Sequence, residues 1–247
     1  QSTYVTIGVF LLLSAAAVAD NIDSSDQSTV DLVKLQGSCP ADFSVKEGAN
    51  SGFISDDHAR EFYVFFPETL ETPRPLLVAL TGTVATELQF VSDQVSQFES
   101  LTDDGWIVVS PIRRCTTEGR TCTGVGPNGS NDGRFWEPWF DGPIVQGNDG
   151  GPDVRFIDAM VRCIAAKYPV DKNRIYNGGS SAGATMTSRN MMFNSELFAG
   201  GIGASGNFQY LGQIPILPLD PIAMDDSIIV LAWGGTEDRY GSSDYSV

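Results

Sequence analysis

Histidine is almost absent from this 247-residue chain: His58 is the one residue of its kind. A single imidazole leaves one candidate general base of that type within the sequence. Basic residues are scarce too, 15 against 31 acidic ones, for a formal charge of −16. A surface of that sign repels phosphate backbones and anionic lipid, so nucleic acid is not an expected partner. No apolar run reaches the roughly 20 residues of a membrane-spanning helix. Internal repeats and low-complexity tracts are lacking, which excludes a solenoid and a largely disordered chain. Cysteine stops at four, Cys39, Cys115, Cys122 and Cys163, at spacings that match no zinc motif. No metal and no organic cofactor are expected.

What is present begins with "VTIGVFLLLSAAAVA", Val5 to Ala19, an apolar run closed by small residues, as in the core and cleavage site of a secretory signal. The chain opens on Gln1 with no Lys or Arg before that run, so the signal reads as clipped at its front. Residues 1–19 are therefore expected to be a signal peptide, 20–38 a polar linker and 39–247 a single folded domain, secreted to an extracellular or periplasmic space and not membrane-bound after cleavage. An even number of cysteines in an exported chain favours disulfides over free thiols. Three pairings are open; the close pair Cys115 and Cys122 would leave Cys39 with Cys163, while a buried thiol on a helix is the other reading of Cys163.

Along the domain, "REFYVFFP" from Arg60, "PLLVAL" (Pro75–Leu80) and "WIVVSP" (Trp106–Pro111) read as strands, the latter two apolar enough to be buried on both faces. Thr86 and Gln89 stand at capping-box spacing, and Leu88, Val91, Val95 and Phe98 follow at helical intervals. A long polar loop runs to Asp153, then Ile157, Met160, Val161 and Ile164 mark a helical face that stops before Pro169. "NRIYN" is a predicted strand, Ala182–Phe193 a helix, "AGGIGASG" a strand of small residues and "SIIVLAW" another apolar strand. Strict alternation of strand and helix predicts an α/β fold: a mostly parallel sheet with helices on both faces and ligands at the carboxyl ends of the strands.

One of those ends carries a Gly-x-Ser-x-Gly pentad, Gly179 to Gly183, centred on Ser181. A serine hydroxyl is a weak nucleophile unless a base takes its proton and its oxyanion product is stabilised. A sharp turn from strand to helix, allowed by the flanking glycines, would project Ser181 from the sheet and aim the helix N-terminus at a reacting carbonyl. Ser180 lies one place off that register, and a plain glycine-rich turn is the bland alternative. Phe135, Trp136, Trp139 and Phe140 crowd "FWEPWF" in the polar loop, either as a hydrophobic acyl or aryl subsite or as packing beneath a lid. The acidic "GNDGGPD" lacks the spacing of an EF-hand loop and reads as a turn with a helix-start aspartate, Asp153.

With these motifs in order, together with "LVALTG", "DVRFIDAMV", "VDKNRIYNGGSSAGATM", "ELFAGGIGASG" and "WGGTED", the chain from about Arg60 onward resembles the secreted α/β-hydrolases of the poly(3-hydroxybutyrate) depolymerase and feruloyl esterase type. The resemblance implies that Ser181 is the nucleophile and Asp238, rather than neighbouring Glu237, the triad acid. It also implies an oxyanion hole from the backbone N–H groups of Thr83 and Ala182, and a cleft lined by Trp136 or Trp139. Two positions depart from the family. Thr81-Gly82 stands where His-Gly is usual, and no histidine follows Asp238 within the remaining nine residues, although the order in this fold is Ser, acid, His. His58 would have to serve against that order; a solvated loop histidine is its other reading. The expectation is that the base, with the last strand and helix of the sheet, lies beyond Val247, and that the 247-residue chain alone is inactive.

The implied activity is that of a serine carboxylic-ester hydrolase acting through an acyl-enzyme on polyhydroxyalkanoate-type esters or feruloyl and acetyl esters of polysaccharide, with an ester polymer or oligomer as its partner. A serine peptidase on the same fold, or a non-catalytic binding protein built on it, are the rival readings.

Overall fold

The computed structural model describes residues 39–82, 87–115, 134–136, 151–204, 228–232, 239–240 and 243–244. The expected signal and linker, together with Thr83, Thr86, Cys122, Trp139 and Asp238, lie outside the described residues. The elements in chain order are β1 (Gly48–Ser55), β2 (His58–Phe65), β3 (Arg74–Leu80), α1 (Glu87–Asp103), β4 (Ile107–Pro111), β5 (Arg114–Cys115), β6 (Arg134–Phe135), α2 (Pro152–Lys167), β7 (Val170–Ser180), α3 (Ala182–Phe193), β8 (Gly200–Ala204), β9 (Ile228–Ala232), β10 (Arg239–Tyr240) and β11 (Ser243–Asp244).

The main sheet has the order β1-β2-β4-β3-β7-β8-β9. Strands β4, β3, β7, β8 and β9 run parallel, and the β1–β2 hairpin is added antiparallel at one edge. Asp56 and Asp57 turn that hairpin with φ of 51° and 61°, as the tight primed turns of two-residue hairpins require. The alternating strand–helix pattern thus yields the α/β architecture expected of it.

Both faces of the sheet are covered, and strand alternation divides the side chains between them. Leu77, Ala79 and Val108 pack with Val91, Phe98 and Leu101 of α1. Leu76, Val78, Leu80, Ile107 and Val109 join the larger core on the other face with α2 (Val154, Phe156, Ile157, Met160, Val161, Ile164) and with Met186 and Met191 of α3. Each such full burial of a large apolar side chain is worth about 1.5–3 kcal/mol. One expected core residue is misplaced: Val95 is 39% exposed, and the inward face of α1 is Val91, Gln94, Phe98 and Leu101. Position 95 falls about 100° past Gln94 around the helix, which turns it to solvent.

Helix α3 has little apolar side chain, yet most of it is buried. It can lie flat on the sheet because β8 presents glycine: a Cβ at Gly201 would come within 2.9 Å of Met191 Cγ and Thr187 Cγ2. Its hydroxyls are satisfied by donating to carbonyls one turn back, Thr187 Oγ1 to Gly183 O (3.0 Å) and Ser188 Oγ to Ala184 O (3.2 Å).

Long-range ties fasten the N-terminal part to α2, a disulfide and a buried ion pair among them. Cys39 is joined to Cys163 by a disulfide that closes 124 residues of chain, which decides between the two readings of Cys163. Asp153, in the first turn of α2, is fully buried and ion-paired with Arg60 of β2, whose guanidinium stacks 4.1 Å above the Phe156 ring. The helix-start role expected for Asp153 therefore holds, with a partner 93 residues away that spacing along the chain does not reveal.

Candidate active site

The connection from β3 runs through α1 to β4 on one side, whereas β7, β8 and β9 lie on the other. The strand order reverses at β3, which makes the carboxyl ends of β3 and β7 the topological switch point, the place where open α/β sheets bind ligands. Thr81 and Gly82 leave β3 there, and Ser181 follows β7 directly.

Ser181 has φ 54° and ψ −122°. Among the described non-glycine residues three have positive φ, and the other two form the β1–β2 turn. A non-glycine side chain held in such a conformation costs about 1–3 kcal/mol and persists where its surroundings over-determine it. Those surroundings are visible. Ser181 N donates to Ala204 O of β8 (2.9 Å), and Ser181 O accepts from Thr185 N (3.1 Å). A Cβ at either Gly179 or Gly183 would overlap the Leu80 carbonyl oxygen, so both glycines of the pentad are consumed by close packing of β7 and α3 on the end of β3. Although Ser181 occupies the N-cap of α3, its side chain makes no capping hydrogen bond, unlike an ordinary capping serine. The residue is exposed at the carboxyl end of the sheet.

Ala182 is the first residue of α3, a position whose N–H has no acceptor within the helix and which adds to the positive end of the helix dipole. From β3, Gly82 reaches the same point: a Cβ there would lie 3.3 Å from Ser181 Cβ and 3.1 Å from Ser180 O. Thr83, the other expected oxyanion donor, lies outside the described residues, as do the expected acid Asp238 and Trp139. The structure thus brings Ser181 and Ala182 together with Thr81 and Gly82 at the end of β3. It adds Gly82, whose approach to Ser181 the sequence did not single out; a glycine two residues after a buried strand was the available signal.

Trp136, expected among the cleft-lining residues, is 1% exposed and turned inward, its Nε1–H donating to Thr81 O at 2.9 Å. His58 is exposed at the β1–β2 turn on a strand separated from β7 by β4 and β3. Three strand spacings amount to about 14 Å, so the structure does not bring His58 to Ser181. Among the described residues no group of three or more His, Cys, Asp or Glu could hold a metal ion.

No protein-family model matches the chain. It is 34% identical to an oxidized polyvinyl alcohol hydrolase of a Sphingopyxis species over 91% of its own length and 69% of that protein's. A second oxidized polyvinyl alcohol hydrolase, from a Pseudomonas species, is 32% identical over 82% of this chain and 62% of its own length. A feruloyl esterase B of Neurospora crassa is 30% identical over 64% of this chain and 49% of its own length. A crystal structure described as native sOPH superposes with a TM-score of 0.64 at 30% identity, covering 84% of this chain and 73% of that one. The esterase half of the expected resemblance is thereby supported, whereas none of these relatives is a polyhydroxybutyrate depolymerase. On that identity and coverage, the chain belongs to the α/β-hydrolase family that contains the oxidized polyvinyl alcohol hydrolases.

Proposed function

We propose a secreted serine hydrolase that cleaves acyl compounds through an acyl-enzyme on Ser181. The observation that carries the reading is the positive-φ, uncapped, exposed Ser181 at a helix N-terminus. Such a conformation has a cost and serves no packing purpose of its own. In the first half-reaction Ser181 Oγ attacks the carbonyl, a base removes its proton, and the alcohol or other leaving group departs with a proton. Water then attacks the acyl-serine, releasing the acid and restoring the hydroxyl.

The oxyanion formed in both steps is held by the N–H groups of Ala182 and Thr83, and Asp238 orients the imidazole that serves as base. Removal of one such oxyanion donor costs about 10²–10³-fold in rate. His58, three strands away from β7, is too distant for the base. Secretion is supported by the Cys39–Cys163 disulfide, a bond that persists in oxidising compartments.

The substrate class is an acyl polymer or oligomer with a hydrophobic acyl portion. Two relatives are named for oxidized polyvinyl alcohol and one for feruloyl esters, and Trp139 is the residue proposed to line the cleft. The test is fluorophosphonate labelling and p-nitrophenyl ester hydrolysis by the full-length protein beside Ser181→Ala. Acid release from oxidized polyvinyl alcohol, feruloylated polysaccharide and hydroxybutyrate oligomers would then rank the substrates. Labelling and turnover that survive Ser181→Ala would overturn the reading, and faster cleavage of peptide amides than of esters would replace esterase by peptidase.

A further inference from the structure

Trp136 is joined to the site by one hydrogen bond that crosses 55 residues of chain: its indole N–H donates to the Thr81 carbonyl at 2.9 Å. Both residues are buried, the tryptophan at 1% exposure and Thr81 at 0%. The β5–β6 ladder sets Trp136 in place, because Arg114 and Cys115, just after β4, pair with Phe135 and Arg134. The returning chain is thus pinned near the carboxyl end of β4, and the next residue, Trp136, extends to the neighbouring end of β3.

The bond acts on a peptide that matters for catalysis. Thr81 C=O and Gly82 N–H belong to one planar unit, and no described peptide is cis, so the two groups point in opposite directions. Anchoring the carbonyl on Trp136 fixes the plane of that unit. It thereby sets the approach of Gly82 to Ser180 O and Ser181 Cβ. A glycine at position 82 has little conformational preference of its own, so an external anchor is what such a loop needs to be preorganised.

We propose that Trp136 is a positioning residue: its indole N–H clamps the Thr81–Gly82 peptide and so holds the oxyanion loop against Ser181. This rests on the serine-hydrolase reading above. Packing alone would require a large apolar ring at this site, whereas positioning requires the N–H as well.

The test uses the full-length protein in three forms: wild type, Trp136→Phe, and a variant in which Trp136 is replaced by 3-benzothienylalanine, which keeps the ring shape but lacks the donor. Turnover of p-nitrophenyl butyrate and inhibition by a boronic acid that mimics the tetrahedral intermediate are measured for each, with Ser181→Ala as control. Loss of one buried hydrogen bond at the loop is expected to lower kcat about tenfold in the benzothienyl variant and to leave KM within about twofold. Boronate affinity should fall by the same factor as kcat, which a purely structural role would not produce. Wild-type kcat and boronate affinity in the benzothienyl variant, with Ser181→Ala inactive, would overturn the positioning role alone. Activity in Ser181→Ala would overturn the underlying reading.

Discussion

Replacing Gly183 by alanine tests the packing on which the site rests. The added Cβ would overlap the Leu80 carbonyl oxygen and lie 2.8 Å from Leu80 C and 2.9 Å from Thr81 O. All three are backbone atoms, so no side chain can swing aside, and either α3 or the end of β3 must move. Overpacking a dense interior costs about 1–3 kcal/mol, with unyielding neighbours at the upper end. Alanine's better helix propensity returns at most about 1 kcal/mol. A net loss of about 2 kcal/mol corresponds to a fall in Tm of about 4–8 °C for a domain of this size. Gly82→Ala is the informative contrast, since its Cβ would meet Ser180 O at 3.1 Å and Ser181 Cβ at 3.3 Å. Neighbours need give only a few tenths of an ångström there, so stability should fall by less than about 1 kcal/mol. Ester turnover should nonetheless drop, because the new methyl abuts Ser181, the proposed nucleophile. Scanning calorimetry and p-nitrophenyl ester kinetics on the full-length variants separate the two effects. A Tm for Gly183→Ala within about 1 °C of wild type would refute the claim that β3 and α3 meet backbone to backbone at this glycine.

Ser181→Gly and Ser181→Ala should both be inactive, yet the glycine variant should be the more stable by about 1 kcal/mol, because only alanine retains the side-chain penalty at positive φ; urea unfolding of the pair measures the difference. Asp153→Ala leaves Arg60 buried without its carboxylate and should cost about 3–5 kcal/mol, much of it recovered when Arg60→Met is added, as thermal melts of the single and double variants would show. Cys163→Ser opens the Cys39–Cys163 link and should lower stability by about 2–5 kcal/mol, read from denaturant unfolding with a larger m-value, because the opened chain exposes more surface when unfolded. Burial pushes the Asp158 carboxyl above its ordinary value, a shift that Arg162 opposes and Glu196 reinforces. The folded state therefore holds this proton more tightly than the unfolded state, so the associated stability is present at low pH and is lost as pH rises from about 3.9 through the raised folded value. Asp158→Asn should flatten that part of the stability–pH curve, and an unchanged slope would exclude Asp158 as its source.

Much of this architecture is written in local pattern. "PLLVAL" and "WIVVSP" are apolar without alternation because they are covered by helices on both sides, and Ala182–Phe193 begins and ends where the sequence predicts. Local pattern was weaker where the two faces of one helix compete. Val95 follows a helical interval but points outward, while the polar Gln94 is buried. The strand of small residues at Gly200–Ala204 looks undemanding as sequence; its glycine content is explained only by the helix lying on it.

At the site, the sequence by itself determined that Ser181 stands in a strand–turn–helix elbow, because the glycine spacing and the flanking periodicities are local properties of the chain. Tertiary structure alone decided the rest. It placed the end of β3 against both pentad glycines, removed His58 to a distant strand, paired Arg60 with Asp153, and turned Trp136 inward onto the Thr81 carbonyl. The physical reason is the same in each case: these are contacts between residues far apart in sequence, set by strand order and close packing, and neither leaves a periodic trace along the chain.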